Sequence, residues 1–126
     1  MRTKEEYALG KPTWCRGCGL YGVLEALKRA SSALGLDPDN TVIVTGIGCH
    51  GRLNSHFRSF AVHGLHGRAL PLASGIKLAN SGLTVAAVSG DGDAYSIGLG
   101  HFLHAVRRNI GLTYIVVDNR IYALTQ

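Results

Sequence analysis

Short apolar runs rich in β-branched residues alternate along this chain with longer segments of helical spacing. The apolar runs cover residues 41–45, 83–88 and 112–117. Helical spacing covers residues 20–34, 70–79 and 94–108. Strands that are buried on both faces read as continuous apolar runs, and helices between them connect parallel strands. The pattern therefore predicts a single α/β domain over residues 1–126, with a parallel sheet that carries helices on both faces.

The segments outside this alternation are predicted as an arm, turns and loops. Residues 1–17 are predicted to form an extended arm that ends in a Gly/Cys-rich turn. Residues 46–51 are predicted to form a loop, which an ill-defined stretch to Gly67 follows. The last helix is expected to place four apolar residues on or near one face: Ile97, Phe102, Ala105 and Val106. A three-stranded sheet with an unprotected edge is a poor domain, so we expect a fragment of a longer subunit or a chain completed by a partner.

The net charge of +5 is unevenly spread and favours anionic partners. No acidic residue lies between Asp39 and Asp91, and the same interval is rich in cations. These cations are Arg52, Arg58, Arg68 and Lys77. A diphosphate, a carboxylate substrate or an acidic protein suits such a segment. Aromatic residues are too sparse for a typical nucleic-acid surface, which argues against nucleic acid as a partner.

The sequence shows no sign of a membrane span or of a secretion signal. No apolar run approaches the length that crosses a bilayer, and residues 1–6 do not resemble a signal peptide. With 46% hydrophobic and 17% charged residues, the chain has the composition of a globular protein. We therefore expect a cytoplasmic protein that does not contact membranes.

Oxygen-bearing side chains follow two of the predicted strands. Asp91 stands between glycines after the second strand, and Asn119 follows the third. The carboxyl ends of parallel strands lie at one edge of a sheet, where open α/β folds bind their ligands. Carboxylate and amide oxygens are ligands that Mg²⁺ prefers when it also holds a phosphate group. The sequence therefore predicts a magnesium site that grips a phosphorylated cofactor.

Three cysteines lie in two glycine-rich segments. Cys15 and Cys18 form a C-x-x-C turn, and Cys49 lies in the loop after the first strand. A C-x-x-C pair can be a redox dithiol, half of a zinc site or part of an iron–sulfur site. Three thiolates suit a metal site with four ligands whose fourth ligand lies outside this chain. Ordinary apolar packing of the cysteines is the alternative, and the flanking glycines make it less favoured.

The segment Gly46–Gly51 matches the dinucleotide pattern G-x-G-x-x-G letter for letter. A nicotinamide site also needs an acidic residue about 20 positions later to hold the ribose, and none occurs there. We therefore interpret the match as accidental.

Histidines occur in two closely spaced pairs. His66 and Arg68 share a loop, and both side chains can donate hydrogen bonds to phosphate oxygens. His63 lies three residues before His66, a spacing that metal sites also use. For His101 and His104 we favour packing or hydrogen bonding.

Taken together, these segments resemble the β subunit of the 2-oxoacid:ferredoxin oxidoreductases, the subunit of that family that binds thiamine diphosphate. The resemblance follows the chain in order and covers nearly all of it. The matching segments are residues 14–19 (WCRGCG), 46–49 (GIGC), 63–70 (HGLHGRAL), 75–80 (GIKLAN), 90–93 (GDGD), 101–109 (HFLHAVRRN) and 119–125 (NRIYALT). The corresponding fold is the thiamine-diphosphate-binding fold, incomplete at its C-terminal end in this sequence.

The resemblance implies a role for each matching residue. Magnesium is held by Asp91, the side-chain oxygen of Asn119 and the carbonyl of Ile121. The other implied cofactor contacts are Cys49, His66, Arg68, Gly90, Gly92 and Asp93. The implied ligands of a [4Fe–4S] cluster are Cys15, Cys18 and Cys49, with a fourth cysteine expected further along the subunit.

The implied activity is oxidative decarboxylation of a 2-oxoacid, pyruvate or 2-oxoglutarate, to an acyl-coenzyme A with electrons passed to ferredoxin. The glutamate that activates the cofactor is expected on an α subunit, so activity would require both subunits. A non-redox thiamine diphosphate decarboxylase or synthase is a second hypothesis, which the cysteines disfavour. A non-catalytic zinc-stabilised binding module is a third. Departures from the family pattern are Arg16, His50, Gly64 and Gln126.

Overall fold

A computed structural model describes residues 2–124 and confirms an α/β fold with a parallel sheet. The strands are β1 (Thr41–Thr45), β2 (Phe60–His63), β3 (Thr84–Gly90) and β4 (Thr113–Val117). The main helices are α1 (Leu20–Ala33), α2 (Ala69–Ala79) and α3 (Leu99–Arg108). The strands lie in the order β2-β1-β3-β4, and every neighbouring pair is parallel.

Alternate residues of the central strands supply two separate cores, one on each face of the sheet. Ile43 and Val88 pack with α1 on one face. Val44 and Ala87 pack with α2 on the other face, where Phe102 of α3 joins them. The prediction of helices on both faces is therefore confirmed. Within residues 2–124, no helix is long and apolar enough to cross a bilayer.

The prediction of a three-stranded sheet is wrong, because β2 pairs with the free side of β1. Only four residues form β2, and its Phe60 is 60% exposed at the edge of the sheet. A strand this short and this exposed has neither the apolar run of a buried strand nor a clear alternation. Its position is set by the register with β1, in which Val62 lies beside Val44.

The helix predicted over residues 94–108 is two elements. A π-helical turn, Gly92–Ile97, precedes α3. A π-helical turn holds more residues than an α-helical turn, so the faces before and after it do not line up. Phe102 and Ala105 pack against the core as predicted. Ile97 lies in the π-helical turn and is exposed, so the prediction of a shared face is wrong for it. Val106 lies one turn after Phe102 on α3 and is exposed.

The arm is partly helical rather than fully extended. A short 3-10 helix, Lys4–Tyr7, begins it, and Tyr7 is almost completely buried against α1. The hydroxyl of Tyr7 donates to the carbonyls of Ser31 and Leu36, at the end of α1 and just beyond it. These contacts fix the start of the arm to the body of the domain.

We predict that the Glu25 carboxyl on α1 titrates far below its ordinary range. The Nζ atom of Lys28 lies 2.7 Å from it, and Lys4 and Arg29 also contact it. The hydrogen bond from Lys28 is the largest cause, and the pKa of Glu25 falls from 4.5 to about 2. The stability that this pairing adds is complete above pH 4.5 and is lost as the pH falls toward 2.

An NMR titration of the Glu25 carboxyl in low salt measures this pKa directly. Lys28→Met should move the pKa back toward 4.5. A wild-type pKa near 4.5 would contradict the expected pairing in solution.

Candidate functional site

The topology creates a crevice at the carboxyl ends of β1 and β3. From β1 the chain runs to β2 on one side, and then crosses through α2 to β3 on the other side. The loops that leave β1 and β3 therefore diverge over opposite faces of the sheet. In open α/β folds such a switch point is where ligands bind. The residues of this crevice follow the strands directly: Gly46 to Cys49 follow β1, and Asp91 follows β3.

A cavity of about 270 Å³ lies at this edge and joins most of the predicted site residues. The predicted residues on its wall are Cys15, Cys18, Cys49, His66, Gly90, Asp91, Gly92, Asp93, Asn119 and Ile121. Wall residues that the sequence did not mark as candidates include Leu20, Ile47, His50, Val117 and Leu124. Arg68 is not on the wall, because it is exposed at the start of α2.

The oxygen donors reach the cavity from two neighbouring strand ends. Asp91 directly follows β3, and Asn119 lies two residues beyond β4. The side-chain oxygen of Asn119 accepts a hydrogen bond of 3.1 Å from the N–H of Ile121. Between them Arg120 adopts a left-handed conformation with a φ of 53°. Non-glycine residues adopt this conformation at an energetic cost, and such strain is concentrated at functional sites. Here it bends the chain so that Asn119 and Ile121 both line the cavity.

The three cysteines reach the same cavity from two segments. Cys15 and Cys18 close a turn in which the N–H of Cys18 donates to the carbonyl of Cys15 at 3.1 Å. Gly17 supplies the left-handed residue of this turn, with a φ of 75°. Cys49 begins the 3-10 helix Cys49–Ser55 after β1. All three thiols are free. In the part of the chain that the structure describes, no three His, Cys, Asp or Glu side chains are close enough together to hold one metal ion.

Asp93 is a buried residue of the cavity wall, and its carboxylate accepts hydrogen bonds from two other loops. Its Oδ1 accepts hydrogen bonds from the N–H of Gly67 at 2.6 Å, the N–H of Ile47 at 3.3 Å and Nδ1 of His66 at 2.7 Å. Its Oδ2 lies 3.7 Å from Nε2 of His50. Neither of these two atoms has a hydrogen-bond partner among residues 2–124. Asp93 therefore holds the loop after β1 and the loop before α2 together at the site.

The pKa of the Asp93 carboxyl lies well below its ordinary range. Burial alone would raise it, but the imidazole of His50 and the N–H of Gly67 stabilise the ionised form more strongly. The side chains of Ser89 and His66 lower it further. An ionised carboxylate can only accept hydrogen bonds, so Nδ1 of His66 is the donor. This contact fixes the orientation of a ring that lines the cavity.

The glycines of the segment Gly46–Gly51 have packing roles in this structure. A Cβ atom on Gly46 would collide with the Asp93 carboxylate, and one on Gly51 would lie 2.5 Å from the His63 ring. Gly48 has a φ of 142°, which side chains rarely adopt. These close approaches account for the glycine pattern without a dinucleotide.

Comparison with known proteins identifies the class to which this site belongs. Residues 46–126 match the family described as thiamine pyrophosphate enzyme, C-terminal TPP binding domain. The chain therefore belongs to the thiamine pyrophosphate enzymes. Within that class it is similar to the β subunits of 2-oxoacid:ferredoxin oxidoreductases.

Similar subunits of 2-oxoacid:ferredoxin oxidoreductases and of 2-oxoglutarate synthases come from several organisms. The β subunit of 2-oxoacid:ferredoxin oxidoreductase 2 from Aeropyrum pernix is 49% identical over 113 residues, which cover 90% of this chain and 37% of the relative. A 2-oxoglutarate synthase subunit from Archaeoglobus fulgidus is 49% identical over 89% of this chain and 42% of its own length. The chain thus spans about two fifths of these relatives.

A solved structure has nearly the same fold. It is a 2-oxoglutarate:ferredoxin oxidoreductase from Magnetococcus marinus with 2-oxoglutarate, coenzyme A and succinyl-CoA bound. The match has a TM-score of 0.96 at 41% identity, and covers 99% of this chain and 43% of the solved chain.

Proposed function

We propose that this chain is part of the β subunit of a 2-oxoacid:ferredoxin oxidoreductase. It would act with an α subunit to convert a 2-oxoacid, either 2-oxoglutarate or pyruvate, to an acyl-coenzyme A while reducing ferredoxin. One observation carries the proposal: free cysteines from two segments and oxygen donors from two strand ends line a single cavity. A non-redox thiamine diphosphate enzyme needs the oxygen donors but has no use for the thiols.

The oxygen donors fit magnesium and the diphosphate of thiamine diphosphate. We assign the ion to the carboxylate of Asp91, the side-chain oxygen of Asn119 and the main-chain carbonyl of Ile121. All three are hard oxygen ligands, as Mg²⁺ requires. The bend at Arg120 supports this assignment because it brings Asn119 and Ile121 to the same wall as Asp91.

We assign other wall residues to the rest of the cofactor: Cys49, His66, Gly90 and Gly92. His66 would present a ring that Asp93 already orients, and the two glycines would let the cofactor approach the main chain closely. Asp93 lies on the same wall, but only 2% of its surface is exposed, so it would act mainly by holding His66 and the neighbouring loops in place.

The cysteines fit an iron–sulfur cluster. Three free thiols from two segments line one cavity, and such clusters are held by several cysteine thiolates. We assign Cys15, Cys18 and Cys49 to a [4Fe–4S] cluster. When bound, thiamine diphosphate would supply an electron sink for decarboxylation and the cluster a one-electron carrier. The residues of this chain hold and orient these groups.

An acidic ferredoxin suits the charges beside the cysteines. Arg52 is exposed on the same 3-10 helix as Cys49, and Arg58 is exposed just beyond it. Arg16 is exposed inside the C-x-x-C turn. Exposed cations on the segments that carry the cysteines attract an acidic partner and speed its association at low salt.

The proposal predicts iron and acid-labile sulfide in equal amounts, together with thiamine diphosphate, in the native complex purified without oxygen. Metal analysis and cofactor extraction measure all three, and 2-oxoacid-dependent reduction of a ferredoxin tests the activity. Zinc without iron or sulfide would overturn the redox function in favour of a zinc-stabilised module. Bound thiamine diphosphate without iron or sulfide would instead indicate a non-redox enzyme of the class.

A further inference from the structure

The arm runs antiparallel to the segment that carries Cys49. The N–H of Leu9 donates to the carbonyl of His56, and a bridge pairs Ala8 with Phe57. Further along the arm, the guanidinium of Arg52 donates to the hydroxyl of Thr13 at 2.7 Å. Positions along the arm thus meet positions of the 49–58 segment in reverse order. The next contact in this series joins the two cysteine segments.

That contact is made by Trp14, which directly precedes Cys15. Its indole N–H donates to the main-chain carbonyl of Cys49 at 2.8 Å. The indole is 8% exposed, and rings pack edge-on against it from two sides. Tyr21 lies 5.4 Å and His56 lies 5.1 Å from it, centroid to centroid. The hydroxyl of Tyr21 also donates to the carbonyl of Trp14 at 2.9 Å.

From this geometry we infer that Trp14 is the positioning residue of the iron–sulfur site. One residue is covalently next to Cys15 and hydrogen-bonded to the main chain of Cys49, so it fixes the spacing between thiols of separate segments. The edge-on rings of Tyr21 and His56 fix the indole in turn. The inference rests on the proposed assignment of the three cysteines to one cluster.

His56 supports the indole of Trp14 by packing and not by hydrogen bonding. It is 6% exposed, and neither of its ring nitrogens has a hydrogen-bond partner among residues 2–124. A buried polar ring without partners costs stability, so the ring contributes here through its packing against the indole.

Trp14→Phe tests the inference because it keeps an aromatic ring and removes the N–H. Residues that orient metal ligands through hydrogen bonds typically change metal affinity by about 10–100-fold when they are lost. We therefore expect the variant, in the native complex, to lose iron to a chelator about 10–100-fold faster than the wild type. Indole fluorescence is also compared between the wild-type and Trp14→Phe complexes, and the difference isolates the signal of Trp14. Quenching of this signal on cluster loading would place the ring beside the cluster independently of activity.

Tyr7→Phe is the matched control. It also removes a hydrogen bond from an aromatic side chain to main-chain carbonyls in the same core, but its acceptors, Ser31 and Leu36, are far from the cysteines in sequence. This control should lower stability without changing the rate of iron loss. If Trp14→Phe does not fold, benzothienylalanine at position 14 keeps the shape of the indole and replaces the N–H by sulfur.

The outcomes separate this inference from the proposed function. A wild-type complex that binds no iron or sulfide would refute the function itself. A wild type that binds both, with iron loss unchanged in the Trp14→Phe or benzothienylalanine protein, would refute the role of Trp14 alone. Faster iron loss in Tyr7→Phe as well as in Trp14→Phe would also refute it, because the effect would then come from loosening of the arm or of the core and not from the indole N–H.

Discussion

Replacement of Asp91 by alanine should abolish magnesium-dependent binding of thiamine diphosphate in the assembled complex. Asp91 is the one carboxylate among the three assigned oxygen ligands, so its loss removes the negative charge that these ligands contribute to the ion. Loss of a residue that orients a metal ligand lowers metal affinity about 10–100-fold. Loss of the ligand itself should therefore lower the affinity by about 100-fold or more. Calorimetric titration of the cofactor with and without magnesium measures the change.

Asp118→Ala is the matched control for this prediction. Asp118 is also a carboxylate just beyond a strand end, but it is half exposed and pairs with Arg120 at 3.6 Å rather than lining the cavity. Surface pairs of this kind contribute about 0.2–1 kcal/mol, so the affinity should change less than about 5-fold. Unchanged affinity in Asp91→Ala would remove the basis for the magnesium site.

The parts of the fold that could be predicted from sequence are those that one local pattern determines. Buried parallel strands need continuous apolar runs, so β1 and β3 were visible at once. The strand β2 was missed because a short edge strand is specified by its neighbour, not by its own residues. The π-helical turn was missed for a similar reason. Gly98 lies so close to the main chain of Gly67 that a Cβ atom there would be 3.0 Å from its carbonyl, which is a tertiary constraint.

Some residues of the site were likewise predictable from local sequence patterns, whereas others depend on tertiary contacts. Asp91 and Asn119 were predictable because strand ends meet at one edge of a parallel sheet. The sequence predicted that Cys49 shares a metal site with the C-x-x-C turn, but the hydrogen bond from Trp14 that joins the two segments was not predictable, because it spans 35 positions and leaves no periodic signal. For Asp93 the sequence indicated a cofactor contact, and only the packed structure shows that its carboxylate also holds two loops of the wall together. One signal could have suggested it: the glycine at position 46 leaves room for the Asp93 carboxylate, and the glycine at position 67 leaves room for the main chain of residues 97–98.

Removal of the Asp93 carboxylate should cause the largest loss of stability at this site. Asp93→Ala leaves the N–H groups of Gly67 and Ile47 and Nδ1 of His66 without their acceptor. A buried donor that loses its partner costs about 1–3 kcal/mol. The N–H of Gly67 is buried and the other two donors are partly buried, so the free energy of unfolding should fall by about 2 kcal/mol or more. Urea unfolding of the purified subunit measures this loss as a lower midpoint.

Asp93→Asn separates the hydrogen bonds from the charge. The amide oxygen can still accept from Gly67 and His66, but hydrogen bonds to a charged acceptor are about twice as strong as neutral ones. We therefore expect this variant to lose about half as much stability as Asp93→Ala. A similar loss in both variants would mean that the charge of Asp93, and not its geometry, holds the loops together.

The pH dependence of this difference tests the ionised state of Asp93. Because the pKa of Asp93 is lowered in the folded protein, its charge adds stability above the ordinary pKa of aspartate, about 3.9. That contribution is lost as the pH falls, so the gap in unfolding free energy between wild type and Asp93→Asn should narrow from about pH 5 downward. Glu25 titrates in both proteins and cancels in the comparison. A gap that stays constant down to pH 3 would show that Asp93 is not an ionised brace, and the orientation of His66 would then need another cause.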